Sequence, residues 1–95
     1  MEHRMRYQVE YHQDVKKRDL PLIDKKNKEI IKRAIEDRLM LTPEIYAKPL
    51  RHTLKGYWKL RVRDYRIVFR ISEDAIHVLA ILHRKNVYAI VEKRV

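Results

Sequence analysis

Residues 48–70 read KPLRHTLKGYWKLRVRDYRIVFR, and this stretch decides the fold class and the surface charge of the chain. Apolar and polar residues alternate on both sides of Arg63-Asp64, a pattern typical of a β-hairpin with a two-residue turn. In that register Arg61 lies directly opposite Arg66, and like charges at such positions destabilise a hairpin. We therefore expect the hairpin to face a polyanion. The stretch contains one acid and eight basic residues, which are Lys48, Arg51, Lys55, Lys59, Arg61, Arg63, Arg66 and Arg70.

The segments around the hairpin predict a mixed fold. The alternation from Met5 to Tyr11 indicates an opening strand. Two helices follow, the first ending before Pro21 and the second with an apolar face from Ile30 to Leu39. The remaining elements are strands at Tyr57–Val62, Tyr65–Ser72 and Ala75–His83 and a short helical or irregular end after Asn86.

The element order β-α-α-β-β-β is typical of an α+β fold. We expect residues 1–95 to form a single domain, in which an antiparallel sheet is covered on one face by the two N-terminal helices. The other face of the sheet would then present the polar side chains of the hairpin strands, namely Tyr57, Lys59, Arg61, Arg66 and Arg70.

Charge is distributed unevenly along the chain. The formal net charge of +10 divides into +2 for residues 1–47 (11 basic and 9 acidic) and +8 for residues 48–95 (12 basic and 4 acidic). This balance favours a nucleic acid, an anionic surface or an acidic protein as partner. A generally solvated basic surface would explain the high pI, but not the concentration of cations on strands.

Composition excludes several functional classes. Without cysteine the chain has no disulfide and no thiolate metal site. The N-terminus MEHRMRYQVEY lacks the apolar segment of a secretion signal, and no run reaches membrane-spanning length, so we expect a soluble cytoplasmic protein with no membrane partner. The single glycine, Gly56, excludes Gly-rich phosphate-binding loops. The five histidines are scattered, and we expect neither a metal nor a cofactor.

The remaining residues fit a phosphate-directed site that works without metal. A cationic sheet with tyrosines can hold phosphates and stack bases, and it can also cleave RNA through attack of the 2′-OH on the adjacent phosphorus. Arginine suits the charge that develops on the non-bridging oxygens, because a guanidinium donates two parallel hydrogen bonds and stays protonated. Proton transfer needs a base and an acid, and the candidates are Lys59, His83 and Tyr88.

Each of these three residues also has a purely structural interpretation. Lys59 lies beside two arginines, and neighbouring cations favour a neutral lysine that can act as a base, yet it could equally be a solvated strand residue. His83 could simply end a strand, and Tyr88 could cover the edge of the core. Trp58 shares a face with apolar residues, so we expect it in the core rather than at a base-stacking surface.

With these residues in view, the chain resembles the RelE/ParE superfamily of bacterial and archaeal toxins along almost its entire length. The resemblance rests on the opening YQVEY (residues 7–11), the Lys-rich helical pair, the block GYWKLRVRDYRIVF (56–69) and the closing HRKNVY (83–88). It implies a RelE-like fold, a cytoplasmic toxin and a co-expressed antitoxin.

The resemblance also implies roles for individual residues. RelE-like ribonucleases use a strand lysine, an arginine of a Tyr-Arg pair, an arginine near the end of the last strand and a tyrosine beyond it. These match Lys59, Arg66, Arg84 and Tyr88, and we add His83 as a candidate for proton transfer. Further contacts to RNA are expected from Arg61, Lys48, Arg51, Tyr57 and Arg70.

The chain departs from the family pattern at several places. Lys48 stands where the YoeB branch has a glutamate base, so any general base must lie elsewhere. Tyr57 replaces a second strand lysine of RelE, and Arg63 replaces the usual glycine of the hairpin turn. YoeB ends in Tyr-His-Tyr where this chain has His83-Arg84-Lys85.

The superfamily joins two activities. RelE-like members cut mRNA, typically in the ribosomal A site, whereas ParE-like members inhibit DNA gyrase and lack most of the catalytic residues. Because the Lys/Arg/Arg/Tyr set is retained, the sequence favours an endoribonuclease acting on mRNA at the ribosome over a gyrase inhibitor or a non-catalytic binding protein. The basic half carries the expected site, so the antitoxin should be acidic and partly apolar and wrap the sheet and its helices.

Overall fold

The computed structural model describes residues 6–95. The opening strand lies within the predicted segment, but Met5, with which the prediction began, is outside the described residues. In chain order the elements are β1 (Gln8–Tyr11), helical turns at Val15–Asp19 and Leu20–Leu22, α1 (Lys25–Ala34) with a further turn at Ile35–Leu39, α2 (Pro43–Tyr46), β2 (Lys48–Pro49), a 3-10 turn at His52–Leu54, β3 (Tyr57–Val62), β4 (Tyr65–Ile71), β5 (Ala75–His83) and α3 (Val87–Arg94).

The strands form one sheet in the order β1-β5-β4-β3-β2. The pairs β2–β3, β3–β4 and β4–β5 are antiparallel, but β1 runs parallel to β5, with Gln8 opposite Ala75. The α+β prediction is confirmed, while the expectation of an antiparallel sheet is corrected to a mixed one. Only a tight turn forces neighbouring strands to be antiparallel, and β1 is joined to β5 by most of the chain. The fifth strand, β2, lies between the second predicted helix and Tyr57, where the sequence predicted no strand.

The hairpin of β3 and β4 has the predicted register, with Arg61 opposite Arg66 across the turn Arg63-Asp64. Arg63 has a φ of 55°. This left-handed conformation crowds the Cβ of any residue other than glycine. The position is the one at which the family pattern has a glycine, so the turn retains its shape with a strained residue.

One face of the sheet is covered by the N-terminal helical segments, as predicted. Trp58 packs against this core and is not a free stacking surface, which confirms its expected position. The core joins apolar residues of the helical segments to one side of the strands, and its buried members include Val15, Ile31, Ile35, Leu39, Leu60, Ile67 and Phe69.

The opposite face presents the polar side chains of the hairpin strands, as expected, but part of it is covered. β5 contains a bulge, because Val68 pairs with Ala80 whereas the next residue, Phe69, pairs with Val78. A bulge reverses the alternation of the residues beyond it. α3 packs there and forms a second core, whose buried residues are Leu54, Val68, Leu79, Ala80, Leu82, Val87 and Val91.

A buried ion pair joins the end of α3 to the sheet. Asp19, in the helical turn after β1, accepts a hydrogen bond of 2.9 Å from the Ile81 N–H. Arg94, at the end of α3, donates a hydrogen bond of 3.1 Å to the Leu79 carbonyl. Arg94 also donates to both carboxylate oxygens of Asp19, at 2.8 and 2.7 Å. Asp19 is 2% exposed. The hydrogen bonding between Arg94 and the Asp19 carboxylate raises the pKa of Arg94. We call Asp19 and Arg94 the C-terminal anchor.

Candidate functional site

The cations of the hairpin lie on the part of the sheet that α3 leaves open. Side chains that face each other across neighbouring strands form rows on one side of a sheet. Lys48 is opposite Lys59, and Arg61 is opposite Arg66. We call this surface the cationic face, and it consists of these four residues together with the next cross-strand pair, Tyr57 and Arg70.

Lys59 contacts Tyr88 on the cationic face. The Lys59 ammonium group donates a hydrogen bond of 2.7 Å to the Tyr88 hydroxyl. α3 brings Tyr88 to this position from a point 29 residues further along the chain. Tyr88 is 43% exposed and Lys59 is half-buried. A ligand can therefore reach the pair, and the two groups are close enough to exchange a proton.

Arg66 and Arg84 are both bound to the hairpin turn. Nη1 of Arg66 donates to the carbonyls of Arg63 and Tyr65, both at 2.9 Å. The backbone N–H of Arg84 donates to the Asp64 carbonyl at 2.8 Å, and Arg84 Nε lies 3.9 Å from the Asp64 carboxylate. The turn therefore orients the Arg66 side chain, whereas the Arg84 side chain is exposed and has only a long contact with Asp64. A guanidinium has five N–H donors, so both side chains still have donors for a phosphate.

His83 lies on the other face of the sheet. It is opposite Tyr65 in β4, and the two rings meet edge-on with centroids 5.8 Å apart. Tyr65 packs against the core under the N-terminal helices. His83 Nδ1 also accepts a hydrogen bond from the Lys85 N–H at 3.2 Å. The structure therefore does not bring His83 together with Lys59 and Tyr88, because the bulge in β5 reverses its side.

Arg51 also lies apart from the rows of the sheet. It is exposed and directly precedes the 3-10 turn at His52–Leu54. Sequence reasoning missed two residues that extend the cationic face: His77 is opposite Arg70, and Glu10 is opposite His77. The alternation of β1 already placed Glu10 on the opposite side from the core residues. Only the parallel pairing of β1 with β5 reveals its neighbours.

The arrangement can bind and polarise a phosphodiester. Cations on β2, β3 and β4 surround the Lys59–Tyr88 pair and would stabilise negative charge that develops on phosphate oxygens. Arg66 and Arg84 add two further guanidinium groups, and that of Arg66 is already oriented by its hydrogen bonds, which reduces the entropy lost on binding. No group of three His, Asp or Glu side chains that could hold a metal ion occurs within residues 6–95.

Residues 9–88 match a family model described as the ParE toxin of the type II toxin–antitoxin system parDE. The chain belongs to this family. It is therefore a toxin of a toxin–antitoxin system, and the predicted membership of the RelE/ParE superfamily is confirmed. No protein of curated function matches the chain.

Solved structures of similar fold support the same placement. The toxin is similar to a chain of the toxin–antitoxin complex RelBE2 from Mycobacterium tuberculosis, at 24% identity and a TM-score of 0.77, covering 88% of this chain and 98% of that one. A chain of the RelB–RelE complex from Methanococcus jannaschii has 26% sequence identity and a TM-score of 0.60, and the match covers 84% of this chain and 95% of that one. YafQ from E. coli has 16% sequence identity to this chain and a TM-score of 0.57, and the match covers 86% of this chain and 98% of YafQ. The RelE-like fold is thereby confirmed.

Proposed function

We propose that this toxin is a metal-independent endoribonuclease that cleaves mRNA by attack of the 2′-OH on the adjacent phosphate. The observation that carries the proposal is the hydrogen bond of 2.7 Å between Lys59 and Tyr88 among paired cations. A surface that only binds a polyanion requires positive charge. It does not require a lysine and a tyrosine in direct contact at an exposed position.

Each residue of the candidate site has its own role in the proposed reaction. Lys59, in its neutral form, takes the proton of the 2′-OH or, as an ammonium, holds a phosphate oxygen, and Tyr88 orients the target nucleotide beside it. Arg66 and Arg84 stabilise the charge on the non-bridging oxygens. The bond to the 5′-oxygen breaks as the 2′-oxygen bonds to phosphorus, and the departing 5′-oxygen takes up a proton from Tyr88 or from water. The products are a 2′,3′-cyclic phosphate and a 5′-hydroxyl.

The substrate would be mRNA held in the A site of the ribosome, in the cytoplasm. This part of the proposal is supported by the RelE-like fold and by the retained Lys59, Arg66, Arg84 and Tyr88. Two of the similar toxins were solved with antitoxins, and for this toxin we expect an antitoxin rich in acidic and apolar residues. No helix within the described part of the chain is long and apolar enough to cross a bilayer.

A second candidate function is inhibition of DNA gyrase. The match of residues 9–88 to the ParE toxin model favours it, because ParE-like members of the superfamily act on gyrase. In that case the cationic face would bind a protein or DNA without cleaving, and the contact between Lys59 and Tyr88 would be structural.

The test compares Lys59→Met and Tyr88→Phe with the wild type in a translation system reconstituted from purified components. The 5′ ends of a defined mRNA are mapped under single-turnover conditions, and gyrase supercoiling is assayed in parallel. Loss of a general acid, base or electrostatic donor should slow cleavage by roughly 100-fold or more. Lys26→Met and Tyr46→Phe are matched controls, since both residues are exposed on helices and neither belongs to the cationic face.

Codon-phased cuts by the wild type that are lost in Lys59→Met and retained in both controls would support the ribonuclease. Equal rates for the wild type and Lys59→Met would remove this lysine from the mechanism. A wild-type protein that leaves mRNA intact and blocks supercoiling would establish the second candidate function instead.

A further inference from the structure

A cavity of about 350 Å³ opens on the sheet beside the candidate active site. Its walls include four residues that face one another across β3, β4, β5 and β1: Tyr57, Arg70, His77 and Glu10. The end of α3 closes one side through Val95. Tyr57 is two residues before Lys59 in β3, so the cavity lies about 7 Å along the strand from the proposed reacting groups.

The polar groups of this cavity are held in place by one another. Nδ1 of His77 lies 3.1 Å from a carboxylate oxygen of Glu10, and Nε2 lies 3.0 Å from the Ser72 hydroxyl. Both ring nitrogens of His77 are thus engaged by neighbouring side chains. A carboxylate offers about four acceptor positions on two oxygens. Glu10 therefore contacts His77 and, with 60% of its side chain exposed, is still able to accept hydrogen bonds from a ligand.

A surface that binds only phosphates does not need an acidic residue such as Glu10. Among the strand residues that the structure describes on this side of the sheet, Glu10 is the one acid. A carboxylate repels phosphate oxygens, but it accepts hydrogen bonds from N–H groups on the edge of a base. Arg70 supplies the opposite chemistry, since a guanidinium donates two hydrogen bonds to adjacent acceptors.

We propose that this cavity is a binding site for a guanine base of the RNA, next to the nucleotide at which the chain is cut. Guanine presents two donors, N1–H and N2–H, to a carboxylate and two acceptors, O6 and N7, to an arginine. Arg70 and Glu10 lie on either side of His77, about 10 Å apart between their backbones, so a base that rests over the His77 ring would have one of them at each edge. Tyr57 is half-buried against the second core, and the part of its ring that lines the cavity is available for stacking with the base.

This inference rests on the proposed ribonuclease activity and adds a sequence preference to it. Adenine lacks the two adjacent donors that a carboxylate accepts, and uracil has only one N–H on its pairing edge. A correctly placed bidentate pair discriminates between bases by roughly 5- to 150-fold. Guanine should therefore be enriched at one fixed position beside the cut.

The experiment uses Glu10→Gln, which keeps the size of the side chain and removes the negative acceptor. Cut sites on a pool of mRNAs of random sequence are mapped for the wild type, Glu10→Gln and Glu29→Gln, the last being an exposed helix glutamate that serves as the control. Guanine enrichment should fall by roughly 5-fold or more in Glu10→Gln and stay unchanged in Glu29→Gln. Cleavage at sites without guanine should proceed at the wild-type rate in Glu29→Gln.

A second measurement uses uncleavable 2′-O-methyl trinucleotides that contain guanosine or inosine. Inosine lacks the N2 amino group, so the wild type should bind it more weakly, while Glu10→Gln should bind the two alike. Cleavage without guanine enrichment, or enrichment that survives in Glu10→Gln, would overturn the guanine site and leave the ribonuclease intact. If the wild type cuts no RNA, the proposed function fails, and equal affinity for guanosine and inosine would then overturn the guanine site as well.

Discussion

The C-terminal anchor should be worth a large part of the stability of this protein. Arg94→Met removes the partner of a carboxylate that is 2% exposed and also the donor to the Leu79 carbonyl. Removing one partner of a buried ion pair costs about 3–5 kcal/mol, because the other charge remains buried without compensation. For 95 residues, a typical total stability is about 5–14 kcal/mol. The substitution should therefore remove about a fifth or more of it.

Chemical denaturation in urea, monitored by the fluorescence of Trp58, measures this loss. Arg18→Met is the matched control, because Arg18 pairs with Asp14 at 3.6 Å in a largely exposed position. Exposed pairs contribute about 0–1 kcal/mol. The double variant Asp19→Leu/Arg94→Met should recover part of the loss by removing the unpaired charge. It should not recover all of it, since the Ile81 N–H and the Leu79 carbonyl stay without partners.

The same substitution should also disturb Tyr88, because α3 carries both residues. Arg94 is the last residue of α3, and Tyr88 lies six positions earlier, about 9 Å along the helix. A loss below about 1 kcal/mol for Arg94→Met, similar to that of Arg18→Met, would refute the argument. It would show that water replaces the guanidinium without cost and that the packing of Val87 and Val91 holds α3 by itself.

Two further predictions concern pH and the hairpin turn. Burial, with a smaller contribution from the charge of Glu36, raises the pKa of Tyr11 above its ordinary value of 10.0. Its contribution to stability is therefore complete below about pH 10 and is lost as the pH rises through the raised pKa. Unfolding in urea between about pH 8 and 11 should show the wild type losing stability relative to Tyr11→Phe, and parallel curves would contradict this. Arg63→Gly should stabilise the protein by about 1 kcal/mol, because it relieves a residue at a φ of 55°. Thermal denaturation measures the gain, with Lys55→Gly, at a φ of −58°, as a control that should lose stability; a loss in both variants would argue against strain at Arg63.

Much of the hairpin and of its charge pattern could be predicted because the signals are local. Alternation with a period of two sets which side chains share a face, and a two-residue turn sets the register. The pattern of residues therefore placed Arg61 and Arg66 correctly, and it also placed Trp58 on the covered side. Residue chemistry and then the family resemblance supplied Lys59 and Tyr88 as separate candidates, without their contact.

His83 shows why the same reasoning failed in β5. A bulge adds one residue to a strand and reverses the side of every residue that follows, yet it leaves no mark in an apolar run. His83 was expected near the reacting groups and lies instead on the face that the N-terminal helices cover. The two-residue strand β2 was missed for a related reason, since Lys48 and Pro49 are too few to show a period.

The sequence by itself determined the elements that depend on neighbours along the chain: the hairpin, its turn, the apolar helix faces and the rows of cations. Tertiary structure alone decided the parallel pairing of β1 with β5, the packing of α3 on the second face and the C-terminal anchor. The anchor joins residues 75 positions apart, and Lys59 meets Tyr88 across 29. Contacts of this kind depend on how distant segments bury their apolar faces against each other, and no local pattern of residues encodes which partner each segment will find.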